Sequence, residues 1–202
     1  MIRGDALDHD GPAKQGRAAC RTVASSGIQF WKVELTMGIS EAFMERASHP
    51  VDTIEQVADF NKWSFERSAE DEIAILVQGI WTDYSVSFSW MEDFEALHIA
   101  CGFDMRVPDK RIAETMTLLS RINEQLLFGH FELWPSDGSV LFRQAMPLSG
   151  GAEVNDAQVE CLLQAALSSC ERYYQAFQFV VWAGKSATEA LDSVLFDTVG
   201  EA

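Results

Sequence analysis

Basic residues are scarce. The 202-residue chain has 15 Lys and Arg against 31 Asp and Glu, a formal net charge of −16. Binding to a phosphate backbone relies on clustered Lys and Arg that release counterions, so this balance argues against nucleic acid as a partner. It argues equally against docking on an anionic membrane surface. The imbalance is uneven. Residues 1–51 hold equal numbers of basic and acidic side chains, and the whole excess falls in 52–202. Such a surface keeps a domain soluble, and it attracts a basic partner segment.

Cysteine is sparse and unpatterned. Cys20, Cys101, Cys161 and Cys170 form no C-x-x-C and no Cys/His ligand spacing. Cys161 and Cys170 fall on one expected helix, half a turn out of phase, which excludes a disulfide between them. Buried, reduced thiols in a reducing compartment follow, and with them a cytoplasmic location. No uncharged apolar run approaches the roughly 18 residues of a membrane span. The N-terminus lacks the basic, apolar, small-residue order of a secretory signal.

Motifs for chemistry are also missing. There is no G-x-S-x-G elbow. Gly184-Lys185-Ser186 copies the end of a phosphate loop, but Phe179 stands where its first glycine belongs. The tripeptide also follows a long helix, whereas a phosphate loop follows a strand. No carboxylate pair stands out from helix caps and turns. No catalytic residue, metal ligand set or cofactor is expected, and the chain reads as a non-enzyme.

Apolar residues make up 48 % of the chain, the composition of a globular protein. Residues 1–50 differ from the rest, being rich in Gly, Ala, Ser and mixed charge, with one apolar cluster at Ile28–Leu35. They read as a disordered or weakly attached extension. An internal start of translation at Met37 or Met44 is a sharper expectation for the same residues. The regular domain spans 51–202.

Within it, Asp52 and Glu55 suggest a capping box for a helix over 52–61, ended by Asn61. A strand follows around Trp63–Arg67. Three segments then alternate with period two. Ile73, Ile75, Val77 and Trp81 share a face of the first. Tyr84, Val86, Phe88 and Trp90 share a face of the second, and Leu97, Ile99, Cys101, Phe103 and Met105 one of the third. Trp81–Tyr84 and Met91–Ala96 are the expected hairpin turns. Pro108 opens a helix with a stripe of Ile112, Met116, Leu119, Ile122, Leu126 and Leu127. Two strands follow, one around His130–Trp134 and one over 139–147. Asn155 and Gln158 cap a long helix whose apolar stripe runs from Val159 to Val181, and Gly184 stops it. Ser186 and Glu189 cap a last helix from Ala187 to Phe196. Without a repeating strand–helix–strand unit, the order predicts an α+β fold of two layers, an antiparallel meander sheet with helices on one face.

The candidate contact residues lie on the other face. Ser85, Ser87 and Ser89 alternate with the core residues of their strand, and Ala100 and Gly102 do so on the next. Small residues there admit close approach of a second subunit or a partner segment, although a simply solvated face has the same pattern. His98 and His130 fall on that side too. Two histidines on one face suit a small-molecule or metal site, or weak acid–base chemistry, with Asp104 or Glu132 as the only guesses at a third ligand. Trp134 is the expected exposed anchor.

Four stretches carry a family resemblance: DEIAILVQGIWTDYSVSFSW (71–90), LHIACGFDMRVP (97–108), INEQLLFGHFELW (122–134) and CERYYQAFQFVVWAGKS (170–186). In order and spacing they resemble the YbjN family of bacterial proteins across about 51–200. The resemblance implies a sensory-transduction regulator with a type III secretion chaperone-like fold and no catalytic residues. By analogy with such chaperones it also implies a homodimer, or a domain that holds an extended segment of another protein.

Overall fold

The structure, a computed structural model, describes residues 48–199. The first 47 residues, and with them most of the expected extension and both candidate internal starts, lie outside the described residues.

Helix α1 (Pro50–Phe60) begins two residues earlier than expected, with Pro50 in its first turn. His49 is its N-cap, and Nδ1 accepts the Val51 N–H at 3.3 Å. Asp52 and Glu55 do not form the expected capping box. Both carboxylates instead accept from Arg67 Nη1, at 2.7 and 2.9 Å. With His49 as the cap, Asp52 lies inside the first turn and cannot cap the helix, which leaves both acids to pair with the guanidinium.

Six strands follow: β1 (Ser64–Ala69), β2 (Glu72–Gln78), β3 (Asp83–Met91), β4 (Ala96–Arg106), β5 (His130–Trp134) and β6 (Ser139–Pro147). All neighbours pair antiparallel, in the order β1-β2-β3-β4-β6-β5. Helix α2 (Ile112–Asn123) separates β4 from β5 in the chain, so β5 enters at the far edge and β6 returns between them. The period-two face is the core: Ile73, Ile75, Tyr84, Val86, Phe88, Leu97, Ile99, Cys101, Phe131 and Phe142 are essentially inaccessible. Register stacks them in rows, such as Ile75–Val86–Cys101–Phe142–Phe131.

Helix α3 (Asp156–Val181) lies across that core with every expected stripe residue buried or packed against it. Its capping box is formed in both directions between Asn155 and Gln158. Helix α4 (Ala187–Val199) starts at the Ser186–Glu189 box. The architecture is α+β, with the helices on one face of an antiparallel sheet.

Two further expectations fail. Trp81 is not on the core face of β2. The chain turns at Gly79, whose N–H donates to the Thr82 carbonyl at 3.0 Å, and Trp81 sits 47 % exposed at the hairpin tip. The α2 stripe holds at Ile112, Leu119, Ile122 and Leu126 and fails at two positions. Thr115, Leu118, Leu119 and Ile122 are buried, whereas Met116 and Leu127 are exposed. A 3-10 turn over Asp109–Arg111 precedes the helix, and the helix ends at Asn123, before Leu127.

Candidate functional site

The helices occupy one side of the sheet, and the other side carries none among the described residues. Three of its cross-strand rows span the centre of the sheet. One runs Leu76–Ser85–Gly102–Leu141–Glu132, the second Glu66–Ala74–Ser87–Ala100–Arg143–His130, and the third Glu72–Ser89–His98–Ala145. The alternation that buries the core residues forces their neighbours outward, because successive strand side chains point to opposite faces. All six residues singled out in the sequence, Ser85, Ser87, Ser89, His98, His130 and Trp134, are on this face. Ser85 is exposed, and Ser87 and Ser89 are half-buried.

The two histidines and the tryptophan are joined through two residues that sequence reasoning valued too little. Glu132 is the hub. Its carboxylate accepts from Arg143 Nη1 at 2.8 Å, from His130 Nε2 at 2.9 Å and from the Trp134 indole at 3.2 Å. Arg143 Nε in turn donates to His98 Nε2 at 3.0 Å. Glu132 had appeared only as a guessed ligand, and Arg143 was not singled out. Its outward position on β6, opposite His130, was the available signal.

This wiring sets the electrostatics. Burial, then the Arg143 charge, lowers His98 to about 4, so the ring is neutral near pH 7 and Nε2 is free to accept. Burial acts to raise the Glu132 carboxyl, but hydrogen bonds from Arg143, His130 and Trp134 outweigh it and hold it at about 2. A carboxylate that saturated has little basicity left for acid–base work. His98 and His130 have different polar partners. A guanidinium stands beside one and a carboxylate beside the other. A cation here would compete with Arg143. Among the described residues, no group of three or more His, Cys, Asp or Glu side chains is placed to hold a metal ion.

Concavities are shallow. One groove of about 250 Å³ lies on the uncovered face over Ser64, Glu66, Ala74, Leu76 and Ser85. A second, about 460 Å³, lies on the helical side between Trp63 and the first half of α3. Among the described residues, no helix is long and apolar enough to cross a membrane.

No curated protein matches the chain. Solved structures similar to it include the crystal structure of YbjN, a putative transcription regulator from E. coli, at 13 % identity and a TM-score of 0.45, covering 60 % of this chain and 85 % of that one. The HopA1–SchA chaperone–effector complex matches at 14 % and 0.43, covering 60 % and 89 %. The ExsC–ExsE complex matches at 14 % and 0.43, covering 66 % and 97 %. A family model matches residues 50–179, and the chain belongs to that family, YbjN, described as "putative bacterial sensory transduction regulator".

Proposed function

We propose that this chain is a non-enzymatic regulatory domain that works by binding another protein, with the uncovered side of its sheet as the contact surface. One observation carries the reading: among the described residues the helices pack on one face and leave the opposite face of a six-stranded sheet without a covering element, its central strands bearing small side chains. Small residues on neighbouring strands allow a partner backbone to approach closely. Trp134, fixed by Glu132, supplies an aromatic anchor at the margin. Glu66, Glu72 and Asp104 also face outward there, and the excess of acids favours a basic, extended segment. A second copy of the chain on the same face would give a homodimer by two-fold pairing. A cytoplasmic location and a role in sensory or stress regulation belong to this reading.

The test is Trp134→Ala, examined by light scattering for self-association and by affinity capture from native lysate for partners. The expected result is loss of one or both with unchanged melting. Retention of both removes Trp134 as the anchor. A small-molecule or metal site at His98 and His130 is the competing reading, and a ligand or stoichiometric metal co-purifying with the chain would establish it.

A further inference from the structure

The sheet has two edges, β1 and β5, and they are treated differently. At β5 the Asn123 side chain takes both outward main-chain groups of Phe131: Oδ1 accepts its N–H at 2.8 Å and Nδ2 donates to its carbonyl at 3.0 Å. That arrangement closes the edge with a side chain in place of a strand. No described residue does this at β1.

Which β1 groups are open follows from the ladder. The Trp90 N–H donates to the Asp71 carbonyl at 2.8 Å, which makes those two a bonded pair. Stepping by two, Ile73 and Ile75 bond to β3, so Ala74 and Leu76 turn their main chain to β1. Their β1 partners are Glu66 and Ser64. Phe65 and Arg67 therefore direct N–H and C=O away from the sheet. The preceding amide, Trp63, is already bonded to the Ala58 carbonyl, and the register breaks after Arg67. The open edge is one short stretch, Phe65 to Arg67.

One groove borders that stretch and a second adjoins its N-terminal end. On the uncovered face lies the groove with Ser64, Glu66 and Leu76. On the helical side lies the groove with Trp63, Leu163 and Leu167, with Glu160 among its lining residues. Side chains of an added strand alternate between those two sides. Arg67, the one cation on the edge strand, is neutralised by Asp52 and Glu55.

We infer that β1 is a strand-addition site, and that the segment it takes is extended, with basic residues alternating with apolar ones. Main-chain bonds to Phe65 and Arg67 supply the pairing. Basic side chains face Glu66, and apolar ones enter the groove beside Trp63. The inference deepens the protein-binding reading above and rests on it.

The test uses the full chain, labelled for NMR, with an acetylated peptide of alternating lysine and valine at millimolar concentration. Without peptide, the Phe65 and Arg67 amides exchange fast and the Phe131 amide slowly. With peptide, the first two are protected at least about tenfold. A glutamate–valine peptide, or the lysine peptide methylated on alternate backbone nitrogens, gives no protection. Glu66→Lys with Glu160→Lys, both exposed, weakens binding at least about threefold. Phe65 and Arg67 amides already slow without peptide would overturn the inference, because the edge would be covered. Peptide-induced shifts confined to Ser87, His98 and Trp134 would also overturn it and leave the sheet-face reading standing. No response to any peptide overturns it as well, and the Trp134→Ala comparison then decides the face reading separately.

Discussion

Asn123 serves Phe131 as a substitute strand. Its amide answers both main-chain groups that the edge residue would otherwise turn to water. The same residue is the last of α2, so the end of the helix and the edge of the sheet meet at one side chain. Replacing it with alanine leaves a partly buried donor and acceptor unpaired, a cost of about 1–3 kcal/mol. Asn123→Ala should lower the melting temperature and speed exchange of the Phe131 amide. Asn123→Asp, which keeps the acceptor and loses the donor, should fall between. Unchanged Phe131 exchange in the alanine variant would show the edge to be closed by something else.

Arg111 gives the second prediction. It donates from Nε to the Val180 carbonyl at 2.7 Å and from Nη2 to the Lys185 carbonyl at 2.6 Å, placing a cation at the C-terminus of the long helix α3. Helix carbonyls there lack intrahelical partners and carry partial negative charge. Three turns of chain are joined at this point, because Glu114 also accepts the Ala187 N–H that opens α4. Arg111→Ala should cost about 1–3 kcal/mol in urea unfolding, and Arg111→Lys should recover part of it. Equal midpoints for the alanine variant and the parent would remove the cap from the account.

Gly79 makes a third. A Cβ built there would clash with Glu171 Oε1 and the Tyr84 ring and lie 2.7 Å from the Thr82 carbonyl. Glu171 sits that close because its carboxylate accepts the Ile80 N–H at 2.6 Å, pinning the hairpin tip to α3. Gly79→Ala must push the carboxylate or the ring aside, at about 1–3 kcal/mol. Ala183→Gly, on an exposed turn, should be near neutral by the same thermal melt.

Acid sensitivity is the fourth, and its sign can be worked out. His98 titrates at about 4 in the fold against an ordinary 6.5. Between those values the unfolded chain carries a proton that the folded chain refuses, so its contribution is largest above 6.5 and falls as pH drops toward 4. Glu132, held at about 2 against an ordinary 4.5, contributes above 4.5 and loses that contribution as pH falls through 2. Both act in the same direction. A urea midpoint series should fall from pH 7 to pH 4, and His98→Gln should flatten the upper part of the slope. A slope unchanged in that variant would assign the acid loss to other groups.

Much of the fold was legible because burial writes itself as period. The β3 and β4 alternations, the α3 stripe and the Asn155 box each appear in the structure as read. Cys161 and Cys170 face apart as the helical phase required, one exposed and one buried against Cys101. The failures lie where a distant residue overrides local pattern. Asp52 and Glu55 look like a cap until Arg67, beyond the helix, claims both. Trp81 continues the β2 alternation on paper, but Gly79 turns the chain two residues earlier. The outward face was legible residue by residue, yet the Glu132–Arg143 hub was not. Glu132 and Arg143 meet across the β5–β6 hairpin, but His98 joins them only because β6 inserts between β4 and β5, and that strand order leaves no local mark in the sequence.

The most direct test of the contact account is quantitative capture from native lysate with Ser85→Arg, a bulky cation placed on the exposed centre of the open face. The account predicts that partner recovery and self-association fall sharply while melting is unchanged, with Ser168→Arg on the exposed side of α3 behaving as the parent. Equal recovery from Ser85→Arg and the parent would contradict it.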